Sequence, residues 1–132
     1  MLGPESTPFD ALGEPRIRAI VERFYDAMSD LEPELASLHA LDGERRVSRA
    51  SRDRFASFLI GWLGGPDDYV AKHGHPRLRM RHARVPVTLA MRDAWLRCMS
   101  VALDAEGVTG DVRGFLDARF AEVADFLRNV DG

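Results

Sequence analysis

The sequence has a single cysteine, Cys98, so an internal disulfide is impossible and nothing indicates an oxidising compartment. It also lacks any run of about 18 consecutive apolar residues, the length that a membrane-spanning helix requires. The first ten residues are acidic and poor in apolar side chains, which is not typical of a secretory signal. These absences predict a cytoplasmic protein without a membrane anchor.

Neither sign of charge is in large excess. The 18 Lys and Arg residues oppose 21 Asp and Glu residues, for a formal net charge of -3, so neither nucleic acid nor a membrane surface is an expected partner. Paired Cys and His ligands and a His-Glu-x-x-His helix are also missing, which disfavours a zinc site. A length of 132 residues predicts one domain over 1–132, with 1–10 as a flexible N-terminal extension.

The apolar residues of the first half recur with the helical period. Pro15 suits the first turn of a helix, and Gly13 separates that helix from a short opening one. Pro33 opens a shorter helix, for which we expect Leu35, Leu38 and Leu41 as its apolar residues. The inward face of the first long helix is predicted to consist of Ile17, Ile20, Val21, Phe24, Tyr25 and Met28.

A polar loop is predicted over 42–49, followed by a helix with Ser48 or Ser51 as its N-cap and Gly64-Gly65-Pro66 as its end. The expected inward residues of this helix are Phe55, Phe58, Leu59, Trp62 and Leu63. The segment 65–86 shows little apolar periodicity, so helix packing alone does not account for it.

Two more helices are predicted in the second half. Thr88 is the expected N-cap of a long helix that points Met91, Trp95, Met99 and Ala102 in one direction. No segment alternates apolar and polar residues as a strand would, so the chain is predicted to be all-α. The final helix, from about Asp111, is predicted to turn inward Val112, Phe115, Leu116, Phe120, Val123, Phe126 and Leu127.

Two histidines, His75 and His82, lie close together in the weakly periodic segment. An imidazole there could bind a metal through one nitrogen while the other donates to a carbonyl. A histidine taken alone is more often a surface or hydrogen-bonding residue. A single axial histidine beside an apolar pocket is, however, what a haem protein needs.

Four segments, in this order, resemble the truncated haemoglobins and, within them, group II. They are Arg-Phe-Tyr at 23–25, Trp-Leu-Gly-Gly-Pro at 62–66 with Tyr69 after it, Gly-His-Pro-Arg-Leu-Arg-Met-Arg-His-Ala at 74–83, and Arg-Asp-Ala-Trp-Leu-Arg-Cys-Met at 92–99. The resemblance covers roughly residues 11–128. It implies a globin-like, two-over-two helical sandwich around haem b.

The resemblance also implies roles for individual residues. His82 matches the proximal ligand of the iron, Tyr25 matches the distal tyrosine, and Trp95 matches a tryptophan whose indole N–H faces the distal side. Ser51 stands where vertebrate globins keep a distal histidine. The other residues expected around the haem and its edge are Arg54, Phe55, Phe58, Leu59, Tyr69, His75, Arg79, Arg81, Val87 and Met91.

Some assignments from the residues alone stay open. Without the other motifs, Tyr25 and Trp95 are more readily interpreted as core aromatics whose polar atoms reach backbone carbonyls. Trp62 and the final helix are assigned to packing alone. Group II sequences usually place Tyr or His where Asp42 stands here, and His39 lies one turn earlier. We expect the Asp42 carboxylate to face solvent.

Reversible binding of dioxygen is the first expected function, with nitric oxide, carbon monoxide and peroxide as further candidate ligands. A fold does not settle function. Oxidation of nitric oxide with a reductase partner and peroxidase activity are therefore alternatives, as is a helical interaction domain that has lost haem. His82, Tyr25 and Trp95 together argue against a haem-free core, since aliphatic side chains would fill those places at lower cost. Monomer and homodimer are both compatible with the sequence.

Overall fold

The computed structural model describes residues 7–39, 41–44, 46–74 and 87–127. Its helices within these ranges are α1 Pro8–Leu12, α2 Glu14–Leu31, α3 Pro33–Ala36, α4 Arg49–Trp62, α5 Asp68–His73, α6 Leu89–Ala105 and α7 Gly110–Leu127. Extended pairing in the same ranges is confined to one antiparallel bridge, between Leu41 and Val47. The predicted all-α class is confirmed. None of the described helices is both long and apolar enough to cross a membrane.

The core lies where α2 packs against α6 and α4, and where α7 packs against α6. The predicted inward face of α2 is confirmed, since Ile17, Val21, Phe24 and Met28 are fully buried. Burial of one large apolar side chain stabilises the fold by about 1.5 to 3 kcal/mol. The fully buried side chains of the other helices include Leu59, Met99, Leu103 and Leu116.

Helix α1, Pro8–Leu12, includes residues 8–10, which were expected to belong to a flexible N-terminal extension. The Thr7 hydroxyl accepts from the Asp10 N–H at 3.1 Å, and the Asp10 carboxylate accepts from the Thr7 N–H at 3.1 Å. This reciprocal capping satisfies two backbone donors. Phe9 packs against the core and lies so close to Gly65 that a Cβ there would be 2.5 Å from its ring. Capping and packing together therefore order this helix.

Helix α3 ends at Ala36, so the predicted helix through Leu38 and Leu41 is wrong. Leu38 lies in a turn, and Leu41 pairs with Val47 in the isolated bridge. The carboxylate of Asp42 accepts two backbone N–H groups of the loop that follows. Such side-chain bonds compete with helical ones and favour a turn.

Ser48, not Ser51, is the N-cap of α4, because the Ser48 hydroxyl accepts from the Ser51 N–H at 3.2 Å. The helix stops before Gly64, whose φ of +108° suits glycine. The weakly periodic segment that follows contains the six-residue helix α5. Its residue Tyr69 is buried. A helix this short shows no apolar repeat in the sequence, which is why it was not predicted.

The two helices of the second half begin as predicted. The Thr88 hydroxyl caps α6 by accepting from the Met91 N–H at 3.1 Å. The inner face of α7 was partly wrong, since Phe115 and Phe126 are 43% and 57% exposed. The face that α7 buries follows an i, i+4, i+8 repeat that excludes both phenylalanines. Its buried residues are Leu116, Phe120 and Ala124.

Candidate ligand-binding pocket

A cavity of about 540 Å³ is lined by side chains of α2, α4, α6 and α7. Cofactor and small-molecule pockets span roughly 300 to 1,000 Å³ and are predominantly apolar. The structure brings together at this cavity every predicted pocket residue that it describes. These residues are Tyr25, Ser51, Arg54, Phe55, Phe58, Leu59, Tyr69, Val87, Met91 and Trp95.

The remaining predicted site residues lie outside the described residues. They are His75, Arg79, Arg81 and the expected proximal ligand His82. The described part of the pocket is therefore the wall that contains Tyr25 and Trp95, together with its apolar sides.

Tyr25 and Trp95 come from different helices, and both line the cavity. Phe24 links them, with ring centroids 5.0 Å from Tyr25 and 5.1 Å from Trp95. Phe55 contacts both rings from α4, at 5.7 Å and 6.4 Å. Neither the Tyr25 hydroxyl nor the Trp95 indole N–H bonds to a described residue. Two hydrogen-bond donors thus line an apolar cavity without a partner in the described part of the chain.

Burial raises the pKa of Tyr25 well above its ordinary value, although the charges of Arg52 and Arg54 act in the opposite direction. The phenol therefore keeps its proton throughout the physiological range. Tyr25 can donate a hydrogen bond into the cavity but cannot supply a negative charge there.

Asp42 faces solvent, as expected. Its side chain accepts from the backbone N–H of Glu44 at 2.8 Å and of Arg46 at 3.1 Å. These two backbone bonds, first that of Arg46, lower the pKa of Asp42. The carboxylate therefore stays ionised, bonds its own loop and does not line the cavity.

His39 lies at the cavity in place of Asp42. Its ring meets the Tyr25 ring edge-on, with centroids 5.6 Å apart, and its Nδ1 lies 3.1 Å from the Leu35 carbonyl oxygen. The resemblance had pointed to Asp42 for this place. His39, one turn earlier in the sequence, is the residue that the end of α3 brings beside Tyr25.

The assignment of Trp62 and α7 to packing alone is wrong, because both contribute to the cavity wall. Trp62 stacks on Phe58, one turn earlier on α4, with centroids 6.3 Å apart. Phe120 of α7 touches Trp62 at 5.5 Å and Trp95 at 5.6 Å. The one-turn spacing of Phe58 and Trp62 was a signal for this in the sequence. The other wall residues from α7 are Val123, Ala124 and Leu127.

The described walls fit a haem. A porphyrin needs extended apolar surfaces, and the aromatic rings of α4 and α7 provide them. Its carboxylates need cationic or hydroxyl partners, and Arg54 and Tyr69 line the same cavity. The unpaired donors of Tyr25 and Trp95 would be costly in a closed apolar core, but they suit a cavity that receives a polar ligand.

Comparison with known proteins agrees with this pocket. The model of the bacterial-like globin family matches residues 7–129. The group 2 truncated hemoglobin YjbI of Bacillus subtilis is 36% identical over 124 residues, which are 94% of this chain and 89% of that protein. A cold-adapted truncated hemoglobin from Pseudoalteromonas haloplanktis superposes with a TM-score of 0.85 at 40% identity, covering 94% of this chain and 98% of that one.

A second solved structure, described as a truncated oxygen-avid haemoglobin from Bacillus subtilis, has a TM-score of 0.84 at 35% identity. The superposition covers 93% of this chain and 99% of that one. The expected two-over-two globin fold is therefore confirmed, and the chain belongs to the bacterial-like globin family as a group II truncated haemoglobin.

Proposed function

We propose that this chain binds haem b through His82 and holds dioxygen reversibly on the side that Tyr25 and Trp95 face. The observation that carries the proposal is a pair of donors, one on α2 and one on α6, that line one apolar cavity and have no hydrogen-bond partner among the described residues. When bound, the haem supplies an iron whose open coordination position takes a diatomic gas.

The Tyr25 hydroxyl and the Trp95 indole N–H are neutral donors, so they stabilise a ligand that carries partial negative charge. Dioxygen at a ferrous haem is such an acceptor, and carbon monoxide is a poorer one. Phe55, Phe58 and Leu59 line the same cavity with apolar surface that excludes water from these bonds. In a water-poor site, a hydrogen bond to a charged group contributes about 1.5 to 3 kcal/mol.

The relatives support oxygen retention rather than mere haem binding. The solved Bacillus subtilis structure is described as oxygen-avid and shares the fold of this chain over nearly its whole length. The donors on α2 and α6 offer a physical reason for the same property here.

The ligation is tested by counting haem per chain in the purified protein and in His82→Gly. We expect about one haem b per wild-type chain, loss of most of it in His82→Gly, and recovery when imidazole is supplied. His75→Gly is the matched control, because His75 is, with His73, one of the two other histidines of the same segment. Unchanged haem content in His82→Gly, with loss in His75→Gly, would assign the ligand to His75.

Reversibility is tested by mixing the ferrous protein with dioxygen and then displacing the gas under a scavenger. We expect a stable oxygenated spectrum, followed by single-phase dissociation back to the ferrous form. Immediate oxidation to the ferric form, without an oxygenated spectrum, would contradict a reversible carrier.

A further inference from the structure

Among the described residues, Arg52 is the charged side chain that the fold buries, with 6% of its surface exposed. It lies at the start of α4. A buried cation is costly unless opposite charges and hydrogen bonds compensate it. Its partners therefore indicate what the fold gains from keeping a charge at this place.

The partners of Arg52 come from two other parts of the chain. Its Nε donates to the Val47 carbonyl at 2.9 Å, in the loop before α4. Its Nη1 donates to the Glu22 carboxylate at 3.0 Å and to the Asp26 carboxylate at 2.9 Å, both on α2. One guanidinium thus joins α2, the loop and α4. The two carboxylates lie one helical turn apart and flank the position of Tyr25.

The same guanidinium lies over the Tyr25 ring, with its Cζ 5.9 Å from the ring centroid. A cation within about 6 Å of an aromatic centroid is attracted by the ring quadrupole. A positive charge there also stabilises electron density on the phenol oxygen, which makes the hydroxyl a stronger donor. Because Arg52 is held by three partners, it can restrain both the ring angle and the donor strength of Tyr25.

We propose that Arg52 is a positioning residue for gas binding, which fixes the Tyr25 ring and strengthens its hydroxyl as a donor into the cavity. This inference rests on the proposed function of Tyr25. Arg52 itself does not line the cavity, so it acts through Tyr25 and not on the ligand.

Arg49 is a matched control on the same helix. Its Nη2 also donates to the Glu22 carboxylate, at 3.0 Å, but its side chain is 64% exposed and makes no contact with Tyr25. Arg49→Met therefore removes a cation and a Glu22 partner without removing the charge over the ring. Met retains the length of the aliphatic stem in both variants.

The first test measures oxygen dissociation for Arg52→Met and Arg49→Met, each in the wild-type and the Tyr25→Phe backgrounds. We expect Arg52→Met to speed dissociation by about twofold to thirtyfold, the range set by a cation–π contact. The effect should disappear in the Tyr25→Phe background, because Arg52 acts through the Tyr25 hydroxyl and that hydroxyl is already absent there. Arg49→Met should leave the rate as in wild type. An equal effect of Arg52→Met in both backgrounds would overturn the proposal.

Arg52→Lys keeps the charge and loses the planar fork, so it separates charge from geometry. We expect a rate between those of wild type and Arg52→Met, and the carbon monoxide stretching frequency should shift in the same order. A urea titration first shows whether each variant is folded, and rates are compared only between folded variants. A stretching frequency that is unchanged in a folded Arg52→Met would overturn the proposal.

A second test needs no gas exchange. The chain has two tyrosines, so ring-labelled tyrosine gives two NMR signals that Tyr69→Phe assigns. We expect Arg52→Met to shift the Tyr25 signal in the purified protein and Arg49→Met to leave it in place. A shift of the Tyr25 signal in a protein that binds no oxygen would refute the proposed function, but it would still support the contact between Arg52 and the Tyr25 ring. An unmoved Tyr25 signal would refute the positioning role whether or not oxygen binds.

Discussion

The two walls that supply the hydrogen-bond donors of the cavity are built from different chemistry. On the α2–α4 side, Tyr25 is backed by the buried Arg52 and its carboxylate partners Glu22 and Asp26. On the α6–α7 side, Trp95 is backed by the aromatic side chain of Phe120, 5.6 Å from its ring. Both rings pack against Phe24 and Phe55. Tyr25 is thus held by charge as well as packing, and Trp95 by packing.

This difference predicts which perturbation affects each donor. Packing in a close-fitting interior fails when volume is removed, because the neighbours relax only partly into the cavity. An ion-pair network fails when one of its charges is removed or neutralised. Volume changes should therefore act on the Trp95 wall, and protonation should act on the Tyr25 wall.

The largest expected effect is that of Phe120→Ala on stability. Phe120 is 4% exposed and contacts Trp62 and Trp95, so its truncation leaves a cavity in the α6–α7 wall. We expect the free energy of unfolding to fall by about 3 to 5 kcal/mol. It is measured by urea titration at equal haem saturation. Phe115→Ala is the control on the same helix, 43% exposed, with an expected change within about 0.5 kcal/mol. Equal losses in the two variants would mean that this wall is not held by packing.

The next effect compares the donors themselves. Tyr25→Phe and Trp95→Phe each delete a donor and keep an aromatic ring, so each should speed oxygen dissociation by about tenfold to a hundredfold. We expect Tyr25→Phe to have at least as large an effect as Trp95→Phe, because the Arg52 charge strengthens the tyrosine as a donor. Carbon monoxide dissociation should change little. Equal changes for both gases, measured by ligand displacement, would indicate altered access instead of a lost hydrogen bond.

The sequence predicted the parts of this pocket that depend on local pattern. The apolar repeat of α2 runs over several turns, so Phe24 and Tyr25 could be assigned to the inward face. Thr88 could be assigned as an N-cap because its hydroxyl needs only the N–H three residues later. The group II resemblance, carried by motifs such as the one around Trp95, was confirmed by the family comparison.

The rest depended on contacts between distant segments. Arg52 lies in a run of charged and polar residues typical of a solvated helix face, and its carboxylate partners are 26 and 30 residues away in the chain. His39 could not be chosen over Asp42, because the length of the intervening loop decides which one reaches Tyr25. Phe120, Val123 and Leu127 of α7 were predicted to face inward, but not to line a cavity, because the neighbouring helices and not the apolar repeat of α7 determine what that face contacts.

A smaller effect concerns acid stability on the α2–α4 side. The hydrogen bond from Arg49 is the largest cause that lowers the pKa of Glu22. Burial alone would raise the pKa of Asp26, but hydrogen bonds from Arg52 and Arg46 outweigh it and lower that pKa. Carboxyl groups with a lowered folded-state pKa contribute stability above their unfolded-state pKa. That contribution is lost as the pH falls through the folded-state value.

Replacing both carboxyls, in Glu22→Gln with Asp26→Asn, should therefore flatten the acid limb of stability plotted against pH. The double variant and the wild type are compared by urea titration, from neutral pH to below the ordinary range of carboxyl pKa values. Glu122→Gln serves as the control, because Glu122 pairs with Arg119 on α7 and both side chains are exposed. An acid limb as steep as that of wild type in the double variant would show that the network does not hold the Tyr25 wall by charge.

The smallest effect is expected for Asp42→Asn, which tests whether the charge on the Tyr25 side is confined to the Arg52 network. The Asp42 side chain is exposed, and its Oδ1 accepts the N–H groups of Glu44 and Arg46. An asparagine side-chain oxygen can accept the same two bonds, so the loop should keep its shape. Because the carboxylate faces solvent, water and salt screen its charge, so its loss should change the field at the Tyr25 hydroxyl little. Oxygen dissociation from Asp42→Asn should therefore match wild type, whereas a changed rate would place the carboxylate toward the cavity, as an acceptor of the Tyr25 proton.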